Sequence, residues 1–224
     1  MNGKQHPAAP LLDQFSTKGR PVDIAKAWTT NHIIQALKRG PHKSAKELVP
    51  AKVLREETME KVEEGYAKII KWKDIKNIPK NLKNSPVVMI PHKLRLFRAI
   101  LDLSFQLKVN GTKLPSVNIA TVIKAPQKTM VQLGSVLKQI IYKMGTNFDP
   151  SQPFMYSKAD IKDGFWRLMV SSENAWHFCY VLLPLQGTVH LDDMEIVVPH
   201  VLQMGWCESP PLFCTATETA SDVI

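Results

Sequence analysis

Apolar residues recur at helical spacing from Ser44 to Trp72. They predict a helix that is interrupted near Gly65, because glycine is unfavourable inside a helix. Glu57 and Lys61 stand four positions apart and form an oppositely charged pair, which favours an exposed helix surface. The apolar positions of this segment are Leu48, Ala51, Leu54, Met59, Val62 and Tyr66.

Two other segments have helical patterns. Thr129 can cap a helix that Gly145 would end, and its apolar residues fall on one face, as expected for a helix that packs on a sheet. Those residues are Leu133, Val136, Leu137, Ile140, Ile141 and Met144. A shorter helix is expected from Ile24 to Lys38.

Two short apolar runs predict a β-hairpin in the first half of the chain. The first run extends from Val87 to Ile90 between prolines, and the second extends from Phe97 to Phe105 after a short basic turn. Pairing of the two runs is the simplest arrangement. The turn between them would present His92, Lys93 and Arg95.

Strand-like runs also occur in the second half of the chain. One extends from Tyr156 to Val170 with a turn at Gly164, and another extends from Ala175 to Leu183. A hairpin is expected through Gly187 to Val198, and a last helix begins at Ser209. This order of elements predicts an α/β fold, of the α+β kind, in which helices cover an antiparallel sheet.

Composition narrows the class of protein. With 224 residues, 44% of them hydrophobic and 22% charged, the chain can bury a core and form one or two domains. No run approaches the roughly 20 apolar residues of a membrane span, and Met1 to Arg20 has no apolar segment after a basic start, so neither a membrane nor secretion is expected. Three cysteines without C-x-x-C spacing favour a reducing intracellular compartment, cytoplasm or nucleus, over a disulfide framework or a zinc site.

The net charge of +9 is divided unevenly. Residues 1–128 contain 24 Lys and Arg against 10 Asp and Glu, whereas residues 129–224 contain 5 against 10. A basic half beside an acidic half suggests phosphate binding on one lobe and metal-binding carboxylates on the other. For any single lysine, a solvated surface position is the better explanation.

One carboxylate stands where a metal-dependent transfer reaction would need it. Asp160 ends the apolar run that begins at Phe154, and Phe165 follows five positions later. Asp160 could bind two divalent ions, and the Ile161 carbonyl could add an oxygen of the kind that Mg²⁺ prefers. Taken alone, Asp160 is better explained as a residue that caps a turn, and Phe165 as a core aromatic.

The residues Lys162, Asp163 and Gly164 form a tight turn in this stretch. Successive backbone N–H groups in such a turn can converge on an anion, so the turn could hold a triphosphate. The side chain of Asp163 is better explained as a turn former than as a metal ligand.

The stretch from Phe154 to Val170 resembles the first palm motif of reverse transcriptases, above all those of long-terminal-repeat retroelements, which read F-S-K-x-D-L-x-x-G-Y/F-x-x-I-x-V. The resemblance implies that Asp160 is the catalytic Mg²⁺ ligand. It also implies that Phe165 is the steric gate against the 2′-hydroxyl of a ribonucleotide.

A second segment, Phe97 to Ser104, resembles the R-x-x-x-D-L/F-R/S strand of the fingers region in that family. The resemblance implies that Arg98 contacts the phosphates of the incoming nucleotide, a role that suits a planar guanidinium. Lys93 and Arg95 are candidates for the charged tip of the fingers.

A third segment, Leu202 to Phe213, resembles the second palm motif, L-P-x-G-L/W-x-x-S/A-P-x-x-F. Matches are Gly205, Trp206, Ser209, Pro210 and Phe213. The resemblance implies that Met204 and Gly205 contact the nucleotide, although Gln203 and Met204 stand where the family usually has other residues.

The third palm motif, Y/F-x-D-D, is not found after Phe213, and Asp192 and Asp193 are better explained as a hairpin turn. The expected division is an N-terminal extension or linker at 1–45, a fingers-like region at 46–129, and a partial palm at 130–224 with a fingers hairpin at about 175–203.

The leading hypothesis is a fragment of a retrotransposon RNA-directed DNA polymerase. Its partners would be an RNA or DNA template with a primer and a deoxynucleoside triphosphate, and its cofactor Mg²⁺. The first alternative is a catalytically incompetent remnant that binds nucleic acid. A weaker alternative is a hydrolase that uses Asp160 and Asp163 as a carboxylate pair.

Overall fold

A computed structural model of the chain describes residues 9–125, 138, 141–142, 144–146, 161–185, 187 and 190–223. Its α-helices are α1 (Ala9–Lys18), α2 (Thr30–Arg39), α3 (Leu48–Glu63), α4 (Val117–Ala120) and α5 (Ser209–Val223). Its strands are β1 (Ala67–Lys71), β2 (Val87–Pro91), β3 (Phe97–Leu101), β4 (Lys108–Val109), β5 (Thr112–Lys113), β6 (Tyr180–Leu182) and β7 (Glu195–Pro199). The result is a mixed fold of helices and antiparallel sheets, as the apolar pattern predicts.

Helix α2 begins later than its apolar pattern predicts. The Thr29 side chain accepts a hydrogen bond from the backbone N–H of His32, and the His32 ring accepts one from the backbone N–H of Thr29. This reciprocal cap starts the helix at Thr30, so the predicted start at Ile24 is wrong. Gly40, with φ +66°, follows the last helical residue.

Helix α3 ends at Glu63, and the predicted continuation to Trp72 is wrong. Gly65 has φ +77°, which glycine adopts without the Cβ penalty of other residues, and the chain leaves the helix there. Strand β1 follows almost at once. The buried Thr58 hydroxyl lies 3.0 Å from the Tyr180 hydroxyl, so α3 is fixed to β6 beneath it.

The main sheet has the strand order β1-β7-β6, with both pairs antiparallel. In its register, Ala67 lies opposite Pro199 and Tyr180 lies opposite Val197. The β6–β7 pair confirms the predicted hairpin that ends near Val198. Asp192 and Asp193 lie in a short 3₁₀ turn between these strands.

Two strand predictions in this region need correction. Residues 174–178 form a 3₁₀ helix before β6, so the strand predicted from Ala175 begins only at Tyr180. In the described part of the run predicted from Tyr156, Gly164–Arg167 is also a 3₁₀ helix. Only Met169 and Val170 there make isolated strand bridges.

The predicted hairpin of the basic region is confirmed. β2 and β3 pair antiparallel, with Val87 opposite Leu101 and Pro91 opposite Phe97. The second strand is shorter than the predicted run to Phe105, because it ends at Leu101. A smaller hairpin, β4–β5, turns at Asn110 and Gly111, both of which have positive φ.

The N-terminal segment is packed on the rest of the chain. Phe15, Val22 and Ile33 are buried in the same apolar cluster as the sheet. The Arg20 N–H donates to the Met169 carbonyl at 2.9 Å. The division of the chain into three regions stays a prediction.

The helix predicted between Thr129 and Gly145 lies mostly outside the described residues, and its described positions at 138, 141–142 and 144–145 are helical. Within the described ranges, no helix is both long and apolar enough to cross a membrane.

Candidate functional site

A cleft of about 790 Å³ lies between the β2–β3 hairpin, helix α3, the turn at 161–166 and the start of helix α5. The hairpin contributes His92, Leu94, Arg95, Arg98 and Ala99 to its lining. The cleft therefore brings together parts of the chain that are far apart in sequence.

Most of the residues predicted for the site share this cleft. They are Arg95, Arg98, Ile161, Asp163, Gly164, Phe165 and Met204. Lys93 lies in the exposed turn between β2 and β3 and Gly205 lies beside Met204, but neither lines the cleft. Asp160 lies outside the described residues.

Arg98 extends from strand β3 with an exposed side chain. Its Nη2 donates to the Sδ atom of Met204 at 2.8 Å. A thioether sulfur is a weak acceptor, so this contact leaves the guanidinium able to bind a stronger anionic acceptor. The contact also joins the β2–β3 hairpin to the segment that precedes helix α5.

The turn that carries Asp163 and Phe165 is held by tight packing. Asp163 has φ +55°, a left-handed conformation that aspartate tolerates better than most residues, and its carbonyl accepts from the Trp166 N–H at 2.8 Å. The Phe165 and Phe213 rings meet edge to face with centroids 5.1 Å apart. Phe165 therefore packs on α5 while it also lines the cleft.

Helix α3 supplies two charged residues to the cleft, Glu57 and Lys61. The Lys61 Nζ lies 4.1 Å from the centroid of the Trp166 ring, a cation–π arrangement. Burial lowers the pKa of Lys61, against the opposing effects of Glu57 and Asp163. The sequence predicts Glu57 and Lys61 as an oppositely charged pair on a surface helix. The two charges do favour each other, and the structure adds that both side chains are half-buried in the lining of the cleft.

The turn before α5 is fastened to helix α4 by Asn118, which sequence reasoning missed. The Asn118 Nδ2 donates to the Gly205 carbonyl at 2.9 Å, and its Oδ1 accepts from the Cys207 N–H at 3.0 Å. Gly205 has φ +95°, and a Cβ atom there would lie 3.1 Å from the Leu101 carbonyl oxygen. These contacts hold Met204 at the edge of the cleft.

Among the residues that the structure describes, no group of three or more His, Cys, Asp or Glu side chains is arranged to hold a metal ion. Glu57 and Asp163 are the carboxylates of the cleft lining within that set. The predicted Mg²⁺ ligands are Asp160, which lies outside it, and the Ile161 carbonyl. Ile161 lines the cleft next to Asp163, so its position is compatible with that prediction.

Comparison with known proteins gives no family. No protein-family model matches the chain, and no curated protein is significantly similar to it. Function is therefore argued from the cleft and from the sequence motifs.

Proposed function

We propose that this chain is the fingers and partial palm of a reverse transcriptase, and that its cleft binds the phosphates of a nucleotide and of nucleic acid. The observation that carries the proposal is the meeting of Arg98, Phe165 and Met204 in one cleft. Each belongs to a different segment that resembles the family, and local sequence patterns do not require the three segments to meet.

The cations of the hairpin suit a phosphate ligand. Arg95 and Arg98 line one wall of the cleft, and the Met204 sulfur that accepts from Arg98 is a weak acceptor. A phosphate oxygen would replace it with a charge-assisted hydrogen bond, which is roughly twice as strong as a neutral one. Gly164 and Phe165, which line the same cleft, would lie against the phosphates and the sugar.

The Mg²⁺ part of the proposal rests on the resemblance. Asp160 and the Ile161 carbonyl would hold the ions, which supply charge stabilisation to the attacking and leaving oxygens of nucleotidyl transfer. The proposed partners are an RNA or DNA template with a primer and a deoxynucleoside triphosphate. The excess of Lys and Arg in residues 1–128 supports binding of a polyanion.

We place this activity in the cytoplasm or nucleus. The chain has three cysteines, Cys179, Cys207 and Cys214, without C-x-x-C spacing. This cysteine usage suits a reducing compartment.

Binding of a deoxynucleoside triphosphate tests the phosphate site directly. Arg98→Ala should weaken binding about tenfold, since a hydrogen bond to a charged group contributes about 1.5–3 kcal/mol. Lys113→Ala is the control, because it removes an exposed cation from strand β5, away from the cleft. If both substitutions weakened nucleotide binding equally, the cleft would not be the phosphate-binding site.

Primer extension separates the polymerase from the nucleic-acid-binding remnant. Product that forms with Mg²⁺ and disappears in Asp160→Asn supports the polymerase. Binding without product supports the remnant. If product does form, Phe165→Ala should admit ribonucleotides more readily, because a smaller side chain leaves room for the 2′-hydroxyl.

A further inference from the structure

Glu57 stands in the cleft that is proposed to bind phosphate, on the same lining surface as Arg95 and Arg98. It projects from helix α3 and is half-buried. A carboxylate is an unexpected side chain in a phosphate site, because it repels the ligand. Its position therefore needs a functional explanation.

The charges around Glu57 come from two elements. Burial raises its pKa, while Lys61 on its own helix and Arg95 and Arg98 on the hairpin oppose that rise. Glu60, the next acidic residue on α3, also raises the pKa. The carboxylate thus shares the electrostatic field of the two arginines that are proposed to bind phosphate.

Glu57 does not form an ion pair with either arginine. Among the ion pairs of the described residues, none joins Glu57 to Arg95 or Arg98 within 4.0 Å. The Arg98 side chain donates to the Met204 sulfur instead. Glu57 can therefore reduce the positive potential at the arginines without occupying their hydrogen-bond donors.

We propose that Glu57 is an internal counter-anion that competes with phosphodiester or polyphosphate ligands for the positive field of Arg95 and Arg98. This inference rests on the proposed phosphate site. An incoming phosphate group enters a field that Glu57 has already partly neutralised, and it also meets the carboxylate as a like charge. Glu57 thereby sets the affinity of the cleft below the value that the arginines alone would give.

The competition also couples binding to protonation. A phosphate near the arginines removes part of the positive field that favours the Glu57 carboxylate. Binding should therefore be accompanied by proton uptake at Glu57, and affinity should rise as the pH falls. His92 on the hairpin lines the same cleft and is therefore replaced in the test below. The other charged groups near Glu57 are Lys61 and Glu60. Asp163 in turn acts on Lys61.

The test measures binding of a fluorescent oligothymidylate to the full chain. Its phosphodiesters do not titrate near neutral pH, so changes in affinity report the protein. Glu57→Gln should tighten binding about threefold, the size expected for a partly exposed charge pair. Glu63→Gln, which removes the same charge from an exposed residue of α3 outside the cleft lining, should leave affinity unchanged.

A pH series adds a second readout. Both chains in this series contain His92→Gln. In the chain that retains Glu57, affinity for the oligonucleotide should rise as the pH falls from about 7 to about 5. In the chain that also contains Glu57→Gln, this rise should be smaller. Glu57→Ala should behave like Glu57→Gln, and circular dichroism checks that both variants are folded.

The outcomes separate the two proposals. Weaker or unchanged binding by folded Glu57→Gln and Glu57→Ala, with Arg98→Ala still impaired, overturns the role of Glu57 and leaves the phosphate site standing. Failure of the native chain and of Glu57→Gln to bind either the oligonucleotide or a deoxynucleoside triphosphate overturns both.

Discussion

Gly164 and Phe213 are packed so closely that no side chain fits between them. A Cβ atom built on Gly164 would lie 2.7 Å from two ring carbons of Phe213. Phe213 in turn meets Phe165 edge to face. The contact joins the turn at 161–166 to helix α5, so a side chain at position 164 would have to displace the Phe213 ring.

Gly164→Ala should therefore displace the Phe213 ring and, with it, Phe165. We expect a loss of about 1 kcal/mol in the free energy of unfolding, at the low end for overpacking because the ring edge is the outer part of a side chain. Urea denaturation measures the loss.

The combined variant Gly164→Ala with Phe213→Leu is the control. Leucine lacks the ring atoms that the new methyl group meets, so the two changes should be less than additive. Additive losses would show that Gly164 is needed for another reason.

Gly19 and Gly65 offer a matched test of backbone and packing effects. Both have positive φ, +73° and +77°. A Cβ on Gly19 would lie 2.5 Å from the Ser171 backbone nitrogen, whereas one on Gly65 meets nothing within 4 Å. Gly65→Ala should lose about 1 kcal/mol for its left-handed backbone alone.

Gly19→Ala should lose about 2–4 kcal/mol, because the methyl group also pushes the N-terminal segment away from Val170 and Ser171. Urea denaturation of the two variants gives the difference. Similar losses for both would show that the N-terminal segment can move away from Ser171 without penalty.

His177 should make the fold sensitive to acid. It is buried, and its Nδ1 has no hydrogen-bond partner in the described part of the chain. Burial, with a smaller effect of Lys83, lowers its pKa from 6.5 to about 4, against the opposing effect of Asp23. Between these values the unfolded chain binds a proton that the folded chain does not, so stability falls as the pH falls.

This single residue should contribute a loss of about 2 kcal/mol at about pH 5 relative to neutral pH. Urea denaturation at the two pH values measures it, and His177→Gln should remove that part of the pH dependence. His190→Gln, at an exposed histidine, is the control. An unchanged pH profile in His177→Gln would mean that His177 is not the group that titrates.

Local patterns predicted the β2–β3 hairpin, the β6–β7 hairpin and helix α5, because apolar runs and a Ser-Pro start mark them directly. They failed at Gly164–Arg167 and Asn174–Phe178, where short 3₁₀ helices occur inside apolar runs that look like strands. The start of α2 was missed because its cap uses histidine where glutamate or glutamine is usual.

The site was predicted in part. Motif resemblance selected Arg98, Phe165 and Met204, which share the cleft. Glu57 and Lys61 were missed, because an oppositely charged helical pair has the same spacing whether it faces solvent or a cleft. Which of the two it faces depends on where the distant hairpin lies, and that is a long-range property of the fold.

Arg98 should also determine how steeply nucleic-acid binding depends on salt. Each phosphate that a cation neutralises on duplex contributes about −0.9 to the slope of log affinity against log salt. Arg98→Ala should therefore make the slope less steep by about one contact, while Arg98→Lys should keep the slope but lower the affinity, because an ammonium lacks the planar fork of a guanidinium.

Fluorescence anisotropy with a primer–template duplex at several salt concentrations measures these slopes, with Lys113→Ala as the control for loss of an exposed cation outside the cleft. A steep slope that Arg98→Ala leaves unchanged would mean that the duplex is bound by other cations of the basic half. In that case Arg98 acts on the nucleotide alone, because a nucleotide in the cleft and a duplex outside it are separate ligands, and Arg98→Ala should weaken nucleotide binding without changing the salt dependence of duplex binding.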